Sequence, residues 1–422
     1  MKRVLSISLI VVLLGGTSLW AQAKDVLPYD ALVRSAKIYL GQKNKDFDKA
    51  EEMLRTAVAN YPDPVEAHFY LGLIHAERAR YADMMAEFKK FEEICARAAE
   101  TGDKKLQKRC EKDKMQKQIQ DTRMAELKRN FDQGVSQLRL ADSLKDGLNT
   151  LTDPAAAAKD SSLLAQLLAK AKGIFSDCVI IDDTVAGIWT NLALVEERLG
   201  NPQEAVKHYE RSYQLNPKDA RMVYDLANVC FELKDYEKAA RFYGEFGDLD
   251  EANAEAAYTN QAMCYQSLGD YDRLQAALDK ILVRNPNNTD IRYQRGVLNV
   301  RNATSAAIRD SAAVLDSLLA LRPNDKALKA AQDELMKHRQ SFNEKAYEDF
   351  KFAAETTKND PTYWYWYGNI SFFLQKQNEA LEAYKKCVEF DDANKDCWGQ
   401  LAIIYARLGM RAEAEQAEAK AK

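Results

Sequence analysis

Apolar residues recur along most of this chain at the spacing of an amphipathic helix, and one pattern of paired helices returns several times. In its clearest copy, a first helix carries Trp189 and Ala193, a Gly-Asn-Pro break follows at 200–202, and a second helix carries Ala205 and Tyr209. Equivalent positions in the next two copies are occupied by Val223, Ala227, Ala239 and Tyr243, and then by Tyr258, Ala262, Leu274 and Leu278. The pattern predicts pairs of short helices.

Small residues explain how the two helices of a pair approach each other. Ala193 and Ala205 let the helices cross closely, while Trp189 and Tyr209 fill the space beside them. One such hairpin cannot bury its apolar surface alone, so neighbouring pairs must stack. The 422 residues include only 9 prolines and 17 glycines, a composition typical of long helices. The sequence therefore predicts an all-α array.

These residues resemble the tetratricopeptide repeat family, whose pattern is Trp, Leu-Gly, Tyr, Ala, Phe or Tyr, Ala and Pro within 34 residues. The late copies match at Trp364, Tyr367, Gly368, Ala380 and Tyr384, then at Trp398, Leu401, Ala402, Tyr405, Gly409 and Ala414. The earliest match at Ala36, Tyr39, Ala50, Leu54, Ala57 and Pro62, then at Leu71, Gly72, His75, Tyr81, Met84, Phe88 and Phe91. Segments 289–325 and 326–360 are expected to be degraded copies.

The resemblance implies an all-α fold: a right-handed superhelical solenoid of antiparallel helix pairs, here with a long helical-hairpin insertion. It also implies a concave face that binds a peptide or a protein partner. The expected organisation is a signal peptide (1–23), N-terminal repeats (31–98), the helical insertion and linker (99–165), central repeats (166–325), and C-terminal repeats with a capping helix (326–422).

The insertion is expected to turn at Thr101-Gly102-Asp103 and return as a long helix to about Gly147. Its apolar stripe comprises Leu106, Cys110, Met115, Ile119, Met124, Leu127, Phe131 and Val135. From Lys104 to Arg129 there are ten Lys or Arg and four Asp or Glu. Either this basic helix, 104–129, is a solvated hairpin, or it is an arm that meets an acidic protein partner or a lipid headgroup surface. The stretch LTDPAAAAKDSS at 151–162 is expected to be a linker.

The N-terminal residues have the pattern of a secretory signal peptide. Lys2 and Arg3 precede an apolar stretch from Val4 to Leu14, and Ala21-Gln-Ala23 is a small-x-small cleavage site. No cysteine follows where a lipoprotein signal needs one. We expect removal of residues 1–23 on export, to the periplasm if the source is Gram-negative; full secretion and an uncleaved N-terminal anchor are the alternatives. The remaining sequence offers no transmembrane stretch.

Export changes the interpretation of the seven cysteines, because thiols that lie close together outside the cytoplasm tend to form disulfides. Cys387 and Cys397 flank a short turn between predicted helices, as do Cys95 and Cys110. A third candidate pair, one repeat apart, is Cys230 and Cys264. Simple packing is the alternative for each.

Several functions are excluded or disfavoured by composition and motifs. A formal net charge of −4 argues against a dedicated nucleic-acid binder. The sequence has no phosphate-binding GxxxxGK[ST], no GxSxG and no HExxH, and acidic pairs such as Asp182-Asp183 and Asp391-Asp392 fit helix caps better than an acid/base dyad. Scattered histidines and no CxxC disfavour a metal site. We expect neither an enzyme nor a cofactor.

The resemblance also suggests where a partner binds. In such repeats the first helix lines the concave surface through its second, fifth, ninth and twelfth places. The last three are Tyr224, Asn228 and Phe231 in one copy, and Tyr365, Asn369 and Phe372 in another. An Asn side chain can pair in two directions with an extended peptide backbone, and the rings supply apolar area. The alternative is that these residues serve packing.

The favoured function is an exported scaffold that binds a protein or peptide in this groove, in cell-envelope assembly or organisation. A glycan- or solute-binding envelope protein that stacks sugars on aromatic groove residues is the alternative, and a spacer without a groove ligand is a third.

Overall fold

The computed structural model describes residues 27–148 and 154–422, and these are helical with no β-strand. The all-α prediction is confirmed for this part of the chain. The predicted signal peptide, 1–23, lies outside the described residues. Two compact units are present, one through Val195 and one from Glu196. No helix in the described ranges is both long and apolar enough to cross a membrane.

The first unit consists of long and short helices joined by tight turns. They are α1 (Tyr29–Leu40), α2 (Phe47–Asn60), α3 (Val65–Glu77), α4 (Tyr81–Thr101), α5 (Lys104–Glu111), α6 (Met115–Leu148), α7 (Pro154–Ile181) and the beginning of α8 (Ala186–Arg198). Within it α1 packs on α2, α3 on α4, and α6 on α7.

The second unit repeats the same pairing. After the end of α8 it contains α9 (Pro202–Leu215), α10 (Ala220–Glu232), α11 (Tyr236–Leu249), α12 (Ala254–Leu268), α13 (Tyr271–Arg284), α14 (Thr289–Ala303), α15 (Ala306–Leu321), α16 (Lys326–Thr357), α17 (Pro361–Phe373), α18 (Gln377–Phe390), α19 (Lys395–Arg407) and α20 (Arg411–Ala421). Asp or Asn side chains cap many of these helices, for example Asp235 on the amide of Lys238 and Asn394 on that of Cys397.

Equivalent positions are given place numbers within each pair. Place 1 is Val65 in α3, Ala186 in α8, Ala220 in α10, Glu255 in α12, Thr289 in α14, Pro361 in α17 and Lys395 in α19. In two pairs the first helix carries a glycine at place 8, which faces a ring at place 24 on the second helix. Gly368 faces Tyr384 in this way, and a methyl group added at Gly368 would lie 2.6 Å from the tyrosine ring. Place 15 turns the chain with a positive φ at Ala79, Gly200, Lys234, Gly269, Gln375 and Gly409.

The expectation of two degraded repeats at 289–325 and 326–360 is wrong. Gly296, at place 8 of α14, packs against Phe350 in the second half of α16 instead of against a helix 16 residues further on. Helix α14 also runs through place 15, Ala303, without a left-handed turn. Residues 306–340 therefore form a helical hairpin, called here the inserted hairpin, within a single repeat.

The region after α4 also differs from expectation. Helix α4 ends at Thr101 and Gly102 takes the left-handed conformation, so the turn lies where it was predicted. The return is not one long helix, because a 3₁₀ turn at 112–114 separates α5 from α6. Of the predicted apolar stripe, Met115 and Ile119 are buried whereas Met124 is 64% exposed.

The predicted linker at 151–162 is largely helical, since α7 begins at Pro154; residues 149–153 lie outside the described ranges. Proline suits the first position of a helix, and the alanines that follow have the highest helix propensity. Gly134 of α6 faces the ring of Phe175 in α7, which repeats the small-residue contact of the other pairs.

Candidate functional site

Both predicted trios lie on first helices of the second unit, at places 5, 9 and 12 of α10 and α17. In each, the asparagine at place 9 accepts a hydrogen bond from the tyrosine at place 24 of the second helix. Tyr243 Oη donates to Asn228 Oδ1 over 2.7 Å, and Tyr384 Oη donates to Asn369 Oδ1 over 2.7 Å. The two pairs therefore hold their asparagines in the same way.

The tyrosine hydroxyls are suited to this role. Burial, and to a lesser extent the neighbouring Cys264 thiol, raise the pKa of Tyr243, and burial followed by the effect of Tyr365 raises that of Tyr384. Both hydroxyls thus stay protonated and donate. Because each Oδ1 accepts the tyrosine hydroxyl, each Nδ2 is left as a donor. Neither Nδ2 has a hydrogen-bond partner in the described part of the chain, and neither is buried there.

The aromatic members of the trios are half-buried against neighbouring side chains. Tyr224 lies 4.9 Å from Phe246 and Phe231 lies 5.5 Å from Tyr236, measured between ring centroids. Tyr365 lies 6.4 Å from Tyr384, and the guanidinium of Arg407 sits 4.3 Å from the Phe372 ring. These rings pack against their neighbours and are also partly exposed. They therefore form part of the surface and do not project from it.

The sequence pattern did not single out a further surface, which lies between the two trios in chain order. Helices α12, α13 and α14 line a depression of about 540 Å³. Its lining includes residues at places 5, 9 and 12 of α12, which are Thr259, Met263 and Gln266, and Tyr293, Val297 and Arg301 of α14. The same place rule identifies most of them; they were overlooked because they do not repeat the Tyr-Asn-Phe sequence.

The first unit does not offer the same surface on α3. There the residues at places 2 and 5 are Glu66 and Phe69, which are only 5% and 1% exposed. Arg109 of α5 donates to both carboxylate oxygens of Glu66 at 3.1 and 3.2 Å, and Met115 and Ile119 of α6 belong to the same apolar cluster as Phe69. Helices α5 and α6 thus cover the N-terminal half of α3.

Two of the predicted cysteine pairs are disulfides in the structure. The Cα atoms of Cys95 and Cys110 are 5.8 Å apart, and those of Cys387 and Cys397 are 6.3 Å apart. Cys230 and Cys264 are instead buried free thiols. Their predicted pairing is wrong because α11 packs on both α10 and α12, with Tyr243 beside both cysteines.

The basic stretch 104–129 uses its arginines internally. Besides Arg109 with Glu66, Arg123 pairs with Glu92 at 3.8 Å and Arg129 pairs with Glu126. Its lysines are exposed, with no ion pair inside the described ranges: Lys104, Lys105, Lys108, Lys112, Lys114, Lys117 and Lys128. An acidic partner for this surface stays a prediction.

Comparison with known proteins supports the repeat pattern directly. Models of the tetratricopeptide repeat family match residues 36–99, 184–245, 255–288 and 361–394. These models describe a repeat and not a catalytic domain.

Two curated relatives and one solved structure are similar over parts of the chain. Anaphase-promoting complex subunit 3 of Schizosaccharomyces pombe is 24% identical over 30% of this chain and 19% of its own length. The Hsp70-Hsp90 organizing protein of Triticum aestivum is 23% identical over 45% of this chain and 32% of its own length. The chain thus spans a third or less of these relatives.

The solved structure is that of YrrB, described as a TPR protein with an unusual peptide-binding site. It is 14% identical, covers 53% of this chain and 95% of its own, and has a TM-score of 0.33. The helix pairs, the small residue at place 8 and the family matches agree with one another. The chain is a tetratricopeptide repeat protein.

Proposed function

We propose that the chain is a scaffold that binds an extended segment of a protein partner on the first helices of its second unit. Asn228 and Asn369 supply the backbone recognition. The observation that carries the proposal is the paired hydrogen bond from Tyr243 and Tyr384, which commits each Oδ1 and leaves each Nδ2 to donate to a peptide carbonyl.

The surface between the two asparagines suits a peptide side chain. The depression between α12 and α14 combines the apolar groups of Met263, Tyr293 and Val297 with the polar groups of Gln266 and Arg301. A mostly apolar concave surface with a few polar groups is the usual composition of a recognition site. The asparagines would bind the peptide backbone, and the depression would bury a peptide side chain; both contacts would contribute to the affinity.

The relatives support a role in protein assembly. One is named as an organizer of Hsp70 and Hsp90, and the other is a subunit of a multiprotein complex. A protein partner is therefore the favoured ligand class. The glycan alternative needs free ring faces, and Tyr224 and Phe231 are already in contact with Phe246 and Tyr236.

The proposal is tested by site-specific photo-crosslinking in the producing cell. A photoreactive residue replaces Thr259, on the proposed face, or Val283, which is 79% exposed on the second helix α13. We expect a protein adduct from position 259 and none from position 283. Equal adducts from both positions would contradict a specific face.

The asparagines are tested by the double variant Asn228→Asp and Asn369→Asp. Aspartate keeps an oxygen for each tyrosine hydroxyl and removes the amide donor, so folding should be preserved while the adduct at 259 falls by roughly tenfold. Tyr243→Phe with Tyr384→Phe is the matched control, because it removes the internal bond and keeps the amide. Retained crosslinking in the aspartate variant would place the asparagines outside the binding surface.

We also propose export through the signal peptide at 1–23 and work in the cell envelope. Two disulfides, one of them fully buried at Cys387 and Cys397, are consistent with an oxidising compartment. Mass spectrometry of the mature protein is expected to find an N-terminus near Lys24; a chain that still begins at Met1 would oppose cleavage.

A further inference from the structure

The inserted hairpin, 306–340, has an unusual relation between composition and burial. It contains Ile308, Val314, Leu315, Leu318, Leu319, Leu321, Leu328, Leu335 and Met336, yet not one of its residues is buried. Val314 and Leu321 are among the exposed large apolar residues. A helical hairpin gains most of its stability from buried apolar contacts, and this hairpin lacks them.

A cavity lies beside the inserted hairpin, where buried apolar contacts would otherwise be expected. It has a volume of about 440 Å³ and lies between α15, the first half of α16 and the end of α14. Ala312 and Ala313 leave room on one side, and Ile308, Leu335 and Met336 supply an apolar wall. This volume is in the range of small-ligand sites, roughly 300–1,000 Å³.

One cation in the cavity lining is unpaired. The Nε of Arg339 is buried without a hydrogen-bond partner, and no ion pair to this guanidinium exists within the described residues. Its Cζ lies 5.6 Å from the centroid of the Phe373 ring. A buried N–H without an acceptor is costly, which points to an acceptor that the described part of the chain does not provide.

The cavity lining holds two other charged groups, Arg309 and Asp316. Asp316 Oδ1 accepts a hydrogen bond from Gln332 Nε2 at 2.6 Å and keeps its negative charge, since the amide is neutral, and Arg309 lies 3.9 Å from Asp310 with both side chains largely exposed. The lining therefore has a net charge of +1 beside apolar walls, and Arg339 is the cation with no carboxylate partner in the described residues. A single guanidinium suits a monoanion, and a planar carboxylate can accept two of its N–H groups.

We propose that this cavity binds a carboxylate that carries a small apolar group, with Arg339 holding the carboxylate and the walls of Ile308, Leu335 and Met336 covering the apolar part. Two sources have this chemistry, a free medium-chain carboxylic acid and the C-terminal leucine of a polypeptide. The site is separate from the proposed peptide face, and neither proposal depends on the other.

Calorimetric titration of the full chain distinguishes the sources. The probes are octanoate and an acetylated tetrapeptide ending in leucine, with octanol and the C-terminal amide of the same peptide as uncharged partners. We expect at least one acid to bind and its uncharged partner to bind roughly tenfold or more weakly, because a charge-assisted hydrogen-bond pair is lost. Binding of octanoate alone identifies a free acid, and binding of the peptide alone identifies a polypeptide end.

Hydrogen exchange gives a second readout at the same site. The bound acid should slow amide exchange in residues 306–340 and leave α10 and α11 unchanged. Arg339→Gln should weaken binding roughly tenfold, whereas the control Arg322→Gln should not, since Arg322 lies outside the cavity lining and pairs with Asp325 at 3.4 Å. Ala312→Leu, which fills the cavity and retains Arg339, should also block binding.

Failure of both acids to bind, or equal affinity of wild type and Arg339→Gln, would overturn the proposal. If Arg339→Gln does not fold, binding of octanoate to Ala312→Leu with wild-type affinity would overturn it as well.

Discussion

Glycine at place 8 brings the paired helices into contact with an aromatic ring. Gly368 has no space for a β-carbon because the Tyr384 ring occupies it, whereas Gly399, inside α19, has open space around it. The two glycines lie in helices of the same unit. Substituting each glycine by alanine isolates the effect of the ring contact on stability, because both glycines lose backbone freedom to a similar extent on folding.

We expect Gly368→Ala to lower the free energy of unfolding by about 1–3 kcal/mol, because the ring must move. Gly399→Ala should raise it by roughly 0.5–1 kcal/mol, because alanine favours the helix and meets no neighbour. Urea unfolding of both variants checks this. Equal effects of the two substitutions would show that the ring contact does not control the approach of the helices.

Glu51 of α2 joins the first repeat to the turn before α4. Its carboxylate accepts from Arg55 at 2.7 Å and from Arg80 at 2.6 Å, with Arg78 at 3.3 Å. Burial alone would raise the pKa of Glu51, but the hydrogen bonds and charges of Arg80 and Arg55 outweigh it and lower the pKa to about 2.

The lowered pKa of Glu51 sets a pH dependence of stability. Since the folded pKa lies below the ordinary value, the stabilisation is complete above about pH 5 and is lost as the pH falls towards 2. We expect Glu51→Gln to cost about 1–2 kcal/mol at neutral pH and progressively less in acid. Glu52→Gln, on the exposed side of α2, is the control. A pH-independent difference from wild type would contradict the ionic origin.

At the scale of helices, the inserted hairpin replaces the turn that joins the two helices of its repeat. Other pairs turn at place 15 with a left-handed residue such as Lys234 or Gln375, whereas α14 continues to Ala303 and leads into α15. The remaining part of the repeat, in which Gly296 meets Phe350, has the contact of an uninterrupted pair. The hairpin is thus an addition to the repeat and not a component of its core.

Deletion of residues 304–341 together with Ala303→Gly would return Phe350 to place 24 and supply the left-handed turn. We expect this variant to unfold cooperatively with a melting temperature within a few degrees of wild type, since no residue of 306–340 is buried. Circular dichroism on heating provides the measurement. Loss of cooperative unfolding would mean that the hairpin stabilises the pair.

The sequence predicted what depends on local spacing and missed what depends on contacts over long separations. Trp189, Ala193 and their equivalents recur at fixed spacings from one helix pair to the next. The helices and the trios could therefore be located by counting residues along the sequence. Gly296 and Phe350 belong to one pair, but the hairpin between them breaks the count. Likewise, the covering of Glu66 by Arg109 joins positions 43 residues apart, which no helical period indicates.

At the scale of the whole molecule, the two units differ in what their first helices present. In the first unit, α3 is covered by α5 and α6, with α5 held to α4 by the Cys95–Cys110 disulfide. In the second unit, place 2 is exposed on α10, α12, α14 and α17, at Arg221, Ala256, Asp290 and Thr362. Partner binding should therefore map to the second unit.

The most direct test of this claim is peptide selection on the full chain, with random peptides displayed on phage, followed by measurement of Kd for the selected peptides. The account predicts that Asn228→Asp with Asn369→Asp raises Kd roughly tenfold or more, and that Tyr243→Phe with Tyr384→Phe changes it much less. Selected peptides that bind the aspartate variant as tightly as wild type would contradict the account.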